Sequence, residues 1–186
     1  DAHIETAPGA DYVRYAVTES GVSPRALPGG EAFVVCASDE HTPDGHLTED
    51  LTARKAMQDK RMRKAALGAA EAMPPEFYPE PDETVLLCWG STYGPCREAV
   101  DILRARGKKV CMAHFAQVWP VWAGAGGALE GRRVISVEGN STAQFALLLR
   151  QCGAVSRFDS ILRYDGLPFT GAEIAQLTDE AGAFCL

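Results

Sequence analysis

The stretch Thr84–Val100, TVLLCWGSTYGPCREAV, decides the fold. Thr84 to Trp89 is a short apolar run of strand length, and Gly90-Ser91-Thr92-Tyr93-Gly94 predicts a turn after it. Pro95 stands where the first residue of a helix belongs, because its missing N–H costs nothing there. Cys96, Ala99, Val100 and Leu103 recur at helical spacing, and Gly107 closes that helix.

Toward the C-terminus the same alternation repeats. Val110 to Phe115 predicts a second strand and Arg133 to Glu138 a third. Ser141 and Gln144 have capping-box spacing before a helix whose apolar face is Phe145, Leu148, Leu149 and Cys152, with Gly153 ending it. Thr170 and Glu173 repeat the capping pattern before a short final helix carrying Ile174 and Leu177. Strands alternating with helices predict an α/β layer, a mostly parallel sheet flanked by helices.

Toward the N-terminus the pattern changes. Pro74-Pro75 and Pro79-Glu80-Pro81-Asp82 predict a stiff linker and a domain boundary. Before it, a helix is expected from Glu49 to Ala70, with Thr48 as N-cap and acidic residues in its first turn. Six of the 18 Lys and Arg fall in it, Arg54, Lys55, Lys60, Arg61, Arg63 and Lys64, and surround it, which predicts a solvated or partner-facing helix. Phe33 to Ala37 reads as a short buried strand, followed by a polar loop from Asp39 to His46. The first ~30 residues carry turn signals throughout, such as Pro8-Gly9, Ser23-Pro24 and Pro28-Gly29-Gly30, so an irregular segment that wraps on something else is expected.

Composition excludes several classes. Hydrophobic residues make up 46% and charged residues 23%, which is incompatible with whole-chain disorder. A formal net charge of -7 disfavours nucleic acid and anionic membrane as partners. No apolar stretch approaches the about 20 residues of a spanning helix. Asp1-Ala2-His3-Ile4-Glu5 has neither the basic start nor the apolar core of a signal peptide and lacks an initiating Met, so a truncated or processed product, or one part of a longer protein, is expected, with a cytoplasmic location. Cys36, Cys88, Cys96, Cys111, Cys152 and Cys185 form no C-x-x-C pair, which predicts buried reduced thiols rather than a zinc or iron–sulfur site.

Two strand ends could carry a ligand. Trp89 to Pro95 opens a helix, where N–H groups converge, and makes Ser91, Thr92, Tyr93 and Gly94 candidate ligand or subunit-facing residues. The segment is neither G-x-G-x-x-G nor a P-loop, and a plain strand-to-helix turn without a ligand is the simpler reading. Val137 to Thr142 adds Glu138 and Asn140 as candidates, with helix capping by Asn140 or Ser141 as the simpler role. Gly124-Ala125-Gly126-Gly127 follows Trp119-Pro120 rather than a strand and reads as a flexible loop. Asp39, Glu40, His41, Asp44 and His46 match no metal template, so subunit contact or a lid is expected of them. His114 lies in an apolar strand and reads as a satisfied core residue. No catalytic residue and no metal ligand is assigned, because no Ser-His-Asp or Cys-His set assembles.

Four further segments carry a family resemblance. They are Ser23 to Gly29 (SPRALPG), Ser38 to His41 (SDEH), Gly45 to Asp50 (GHLTED) and Met57 to Lys64 (MQDKRMRK). With Trp89 to Val100 (WGSTYGPCREAV), His114 to Pro120 (HFAQVWP), Glu138 to Arg150 (EGNSTAQFALLLR) and Arg163 to Ile174 (RYDGLPFTGAEI), they form an ordered series over nearly the whole chain. The series resembles the alpha subunit of 2-oxoacid:ferredoxin oxidoreductases, of the 2-oxoglutarate type.

The resemblance implies that residues 1–81 are the tail of a pyrimidine-side thiamine-binding domain plus helix and linker. Residues 82–186 would be a transketolase C-terminal-like, Rossmann-like domain. It implies a beta subunit as partner, and ferredoxin and coenzyme A through the complex, in anaerobic metabolism. Thiamine diphosphate, magnesium and an iron–sulfur cluster belong to the complete enzyme, none of them bound by this chain alone. The Y-P-I-T-P motif and the G-D-G…N signature of such enzymes are not in this sequence. The usual T-G-Q-L reads Thr142-Ala143-Gln144-Phe145, and Leu167 stands where the family has an Arg that can contact an anion or a subunit. The isolated chain is therefore expected to be an inactive, assembling portion of the enzyme. The alternative is a free-standing α/β module that binds coenzyme A or another small molecule without catalysis.

Overall fold

The computed structural model describes residues 4, 5, 9 and 11–180. In chain order the elements are β1 (Ile4–Glu5), β2 (Arg25–Ala26), α1 (Leu51–Ala70), β3 (Glu76–Tyr78), β4 (Thr84–Trp89), a 3₁₀ turn (Gly90–Thr92), α2 (Tyr93–Ala105), β5 (Val110–Phe115), α3 (Ala125–Leu129), β6 (Arg133–Glu138), α4 (Gln144–Gln151), β7 (Asp159–Leu162) and α5 (Gly171–Glu180). They divide into two units, residues 1–70 and 71–186.

The second unit is the α/β layer that the alternation predicts. Its sheet runs β3-β5-β4-β6-β7, with β3 antiparallel to β5 and every other pairing parallel. Strands β4, β5 and β6 have the bounds read from the sequence. Both faces are covered, which is why β4 is apolar without alternation. One face packs Leu86, Cys88, Met112, Ile135 and Val137 against Cys96, Ala99, Val100 and Leu103 of α2 and Ile174 of α5. The other packs Val85, Leu87, Ala113, Phe115 and Val134 against Ala125 and Leu129 of α3 and Phe145 and Leu149 of α4.

Helix ends explain the connections. At Gly107 the φ is +77°, and the N–H groups of Gly107 and Lys108 donate to the carbonyls of Arg104 and Leu103, closing α2. The Thr170–Glu173 box forms as expected: Glu173 N–H donates to Thr170 Oγ1 at 3.3 Å and Thr170 N–H to Glu173 Oε2 at 3.0 Å.

Several local expectations are corrected. Pro95 is the third residue of α2, not the first, because the 3₁₀ turn runs directly into a helix from Tyr93; it still lies where no intrahelical N–H is required. The Ser141–Gln144 box does not form, since α4 starts at Gln144 with Ala143 as N-cap at φ 52°. Cys152 is the exposed C-cap of α4 rather than part of its apolar face, and Cys36 is also exposed, while Cys88, Cys96 and Cys111 are buried. Cys185 lies outside the described residues. Gly124–Gly127 is not a free loop: burial of Ala125 and Leu129 holds a short helix, and a Cβ at Gly124 would sit 2.3 Å from the Trp122 ring. Part of the proline-rich stretch also supplies the edge strand β3.

The first unit is mostly irregular, apart from α1 and the two-residue pairing of β1 with β2. Phe33–Ala37 forms no strand, and Phe33 is 88% exposed, because no neighbouring strand offers it a ladder. Helix α1 begins at Leu51, two residues later than expected, capped by Asp50, whose Oδ1 accepts Ala53 N–H at 2.6 Å; Thr48 Oγ1 instead accepts Asp50 N–H.

Candidate functional site

Sheet order locates the crevice of an open α/β layer. Strands β4 and β6 are adjacent, yet the helix after β4 leads to β5 on one side and the helix after β6 leads to β7 on the other. Helices α2 and α4 accordingly pack on opposite faces. The carboxyl ends of β4 and β6 are therefore the topological switch point, where such sheets take ligands. Both candidate segments, Trp89–Gly94 and Glu138–Asn140, lie there.

Glu138 organises that end of the sheet. It is 0% exposed, and its oxygens accept Ser136 Oγ at 2.6 Å, Asn140 Nδ2 at 2.8 Å, Phe145 N–H at 2.9 Å and Ala146 N–H at 3.0 Å. Burial alone would raise its pKa; the bonds from Ser136, the two helix N–H groups and Asn140 outweigh this and hold it below the usual carboxylate range. The ionised group thus caps α4 from a distance and takes over the role expected of Ser141. Asn140 also contributes: its Oδ1 accepts the N–H groups of Thr142 and Gln144 at 3.1 and 3.3 Å.

The other candidates divide. Trp89, which opens that segment but is not among its candidate ligand residues, is partly exposed and reaches across the switch point, its indole N–H 3.5 Å from Glu138 Oε2. Thr92 is buried, donating to Trp89 O at 2.8 Å and accepting Trp89 N–H at 3.3 Å, so its hydroxyl serves the turn. Tyr93 turns toward the sheet edge, where its hydroxyl donates to Glu76 Oε1 at 3.2 Å and accepts from Arg97. Ser91 and Gly94 are exposed. Gly90 makes the turn at φ +57°. The arrangement offers an indole edge, a hydroxyl and an amide, and its carboxylate is an anion at neutral pH. It can position a ligand or a neighbour; it presents no poised acid–base pair.

Beside it, Arg163, Tyr164, Asp165 and Phe169 line a cavity of about 470 Å³ with Glu173 and Gln176 of α5. Arg163 holds that loop together, donating to Pro168 O at 2.8 Å and Glu173 Oε2 at 2.9 Å, and Leu167 is 64% exposed. His114 departs from expectation: its Nε2 is buried without a hydrogen-bond partner, and burial lowers its pKa. In the first unit the 39–46 loop is tied to α1, with Glu40 paired to Arg61 at 2.7 Å and Arg54 at 3.3 Å, and within itself by His46 to Asp44 at 3.2 Å. Among the described residues no group of three or more His, Cys, Asp or Glu is placed to hold a metal ion. No described helix is long and apolar enough to cross a membrane.

Known proteins with this sequence order exist. The alpha subunit of 2-oxoacid:ferredoxin oxidoreductase 2 from Aeropyrum pernix is 37% identical over 178 residues, 90% of this chain and 27% of its own length. The chain is similar to one segment of such an alpha subunit. The alpha subunit of 2-oxoacid:ferredoxin oxidoreductase 1 from Sulfurisphaera tokodaii is 33% identical over 172 residues, with 89% of this chain and 27% of that protein covered. A solved 2-oxoglutarate:ferredoxin oxidoreductase from Magnetococcus marinus, with 2-oxoglutarate, coenzyme A and succinyl-CoA bound, superimposes at a TM-score of 0.71 and 26% identity over 95% of this chain and 32% of that chain. The chain thus spans about a quarter of the length of the curated relatives it matches. These relatives are subunits of an oxidoreductase of several subunits. No family model matches the chain.

Proposed function

We propose that this chain is the C-terminal portion of the alpha subunit of a thiamine-dependent 2-oxoacid:ferredoxin oxidoreductase and completes that enzyme without contributing its reacting groups. On this reading the complex decarboxylates a 2-oxoacid, by preference 2-oxoglutarate, passes the acyl group to coenzyme A and reduces ferredoxin. Residues 82–186 are its transketolase C-terminal-like domain and residues 1–81 the tail and linker of the preceding domain. The observation that carries the proposal is the match to oxidoreductase alpha subunits along 90% of the chain at 37% identity. Its 2-oxoglutarate preference is supported by the fold match to an enzyme solved with that acid bound. Exposed apolar side chains in the first unit, such as Phe33 at 88% and Leu51 at 80%, support its being completed by further protein.

The crevice between β4 and β6, with Ser91, Gly94 and Asn140 at its mouth, faces the beta subunit or coenzyme A. Magnesium, the iron–sulfur cluster and thiamine diphosphate belong, on this reading, to other parts of the enzyme. What this chain supplies is a rigid strand-end surface, held by Glu138 and its donors. The test is 2-oxoacid- and coenzyme A-dependent reduction of ferredoxin by the polypeptide carrying this chain, combined with its beta subunit. Turnover is expected, with a higher kcat/KM for 2-oxoglutarate than for pyruvate, and Ser91→Trp should impair either subunit association or coenzyme A use. Turnover by the 186-residue chain alone would defeat the reading.

A further inference from the structure

The first unit contains a cavity of about 340 Å³ whose charged lining has one sign. Arg14, Lys60, Arg61 and Lys64 line it together with His41, and among the described residues no Asp or Glu does. Its volume lies within the range of small-ligand pockets, roughly 300–1,000 Å³. Lys60 is the unusual member, being only 6% exposed. Its ammonium donates to the Tyr15 carbonyl at 2.9 Å and to the Ser23 hydroxyl, both neutral oxygens. Among the described residues no carboxylate pairs with it. The nearby acid, Glu40, is instead engaged by Arg61 at 2.7 and 3.1 Å and by Arg54 at 3.3 Å.

A buried cation held only by neutral oxygens is an incomplete arrangement. Desolvation disfavours the charge, and the missing compensation has to come from an anion. An ammonium has three donors, and two of Lys60's are used. Burial, and then the cations Lys64, Arg14, Arg61 and Arg63, push its pKa down, and an anion entering the cavity would favour its charged form. Several cations converging on one cavity suit a doubly charged group with several acceptor oxygens better than a single carboxylate.

We propose that this cavity binds a phosphate-type oxyanion, anchored by the buried Lys60 ammonium with Arg14 and Lys64 beside it. The site stands independently of the oxidoreductase reading. A free phosphate and the phosphates of coenzyme A share the required chemistry. A purely structural Lys60, fastening the Tyr15 carbonyl to Ser23, is the competing explanation.

Calorimetry and thermal melting of the 186-residue chain with inorganic phosphate distinguish the two. Saturable binding and a rise in Tm with phosphate are expected. Lys60→Met should lower phosphate affinity about tenfold or more and abolish the phosphate-dependent rise in Tm. Lys64→Gln, at an exposed position, should weaken binding about threefold. Absence of saturable phosphate binding by the wild-type chain, or wild-type affinity in the Lys64→Gln variant together with either wild-type affinity or misfolding in Lys60→Met, overturns the site. Coenzyme A binding tighter than phosphate, with no binding of phosphate-free pantetheine, supports the site with the coenzyme as source; equal affinity for coenzyme A and phosphate supports it with free phosphate.

Discussion

The two units are held together by different physics. Residues 71–180 bury both faces of a sheet, with Val85, Leu86, Leu87, Met112 and Ile135 all 0 or near 0% exposed. Among the described residues of the first unit Met57 is the one buried apolar side chain, and Ser23, His41 and Lys60 are buried beside it. That unit relies on polar ties: Glu40 to Arg61, Lys60 to the Tyr15 carbonyl, and Tyr12 Oη to Pro24 O at 3.2 Å. Apolar burial is non-directional and adds up with area, at about 25 cal/mol per Å². Polar ties are worth about 1 kcal/mol each after desolvation, so a region built on them is shaped but weakly held.

The largest consequence concerns excision. Residues 71–186 alone should unfold in one cooperative transition, whereas residues 1–70 alone should show none, since ordering costs about 1.5 kcal/mol per residue and little apolar area offsets it. Denaturant titration followed by circular dichroism tests this, and a sharp transition in the 1–70 peptide would remove the contrast.

Next comes Glu138→Gln. An amide keeps the volume but turns its NH₂ toward donors, leaving buried N–H groups of α4 unsatisfied, so a loss of about 3 kcal/mol is expected in urea unfolding. A loss under 1 kcal/mol would show that packing, not the carboxylate, seats α4. The matching substitution in the first unit is Gly45→Ala. Gly45 has φ +98°, and a Cβ there would lie 2.1 Å from the Val35 carbonyl oxygen, so about 2 kcal/mol should be lost and proteolysis within residues 1–70 should accelerate.

The smallest effect is on acid response. The Arg61 guanidinium beside it holds the Glu40 carboxyl at about 2, against an ordinary 4.5. A carboxyl lowered by folding stabilises fully above its unfolded pKa, so this contribution is present above about pH 4.5 and is lost as pH falls toward 2. Glu138 is lowered too and acts with the same sign. They differ in salt: the partners of Glu40 are 40% and 66% exposed, and the Debye length at 1 M is about 3 Å. High salt should therefore raise the Glu40 pKa, followed by NMR titration, while leaving that of Glu138 unchanged.

Legibility follows the same division. Strands β4, β5 and β6 could be bounded from their apolar runs because both faces are covered, and α2 showed its buried stripe at 96, 99, 100 and 103. Phe33–Ala37 looked like those strands but has no partner strand, a fact that local composition does not carry. Edge strand β3 was hidden by its flanking prolines. At the switch point, Glu138 and Asn140 were recognisable as polar residues at a strand end. That Glu138 would meet the N–H groups of Phe145 and Ala146, and Trp89 from another strand, depends on which strands are neighbours. Lys60 read as one of six cations on a solvated or partner-facing helix, since nothing in a helix's charge pattern says which member the preceding loop will cover.

The order of residues by itself determined the layer architecture, three core strands and the likeness to oxidoreductase alpha subunits, because periodicity and motif order are local properties. Only the tertiary structure decided where β6 pairs, what becomes of the Glu138 carboxylate and which lysine is buried. Each of those depends on groups far apart in the chain, such as Ser23 and Lys60, 37 positions apart, being brought within hydrogen-bond reach.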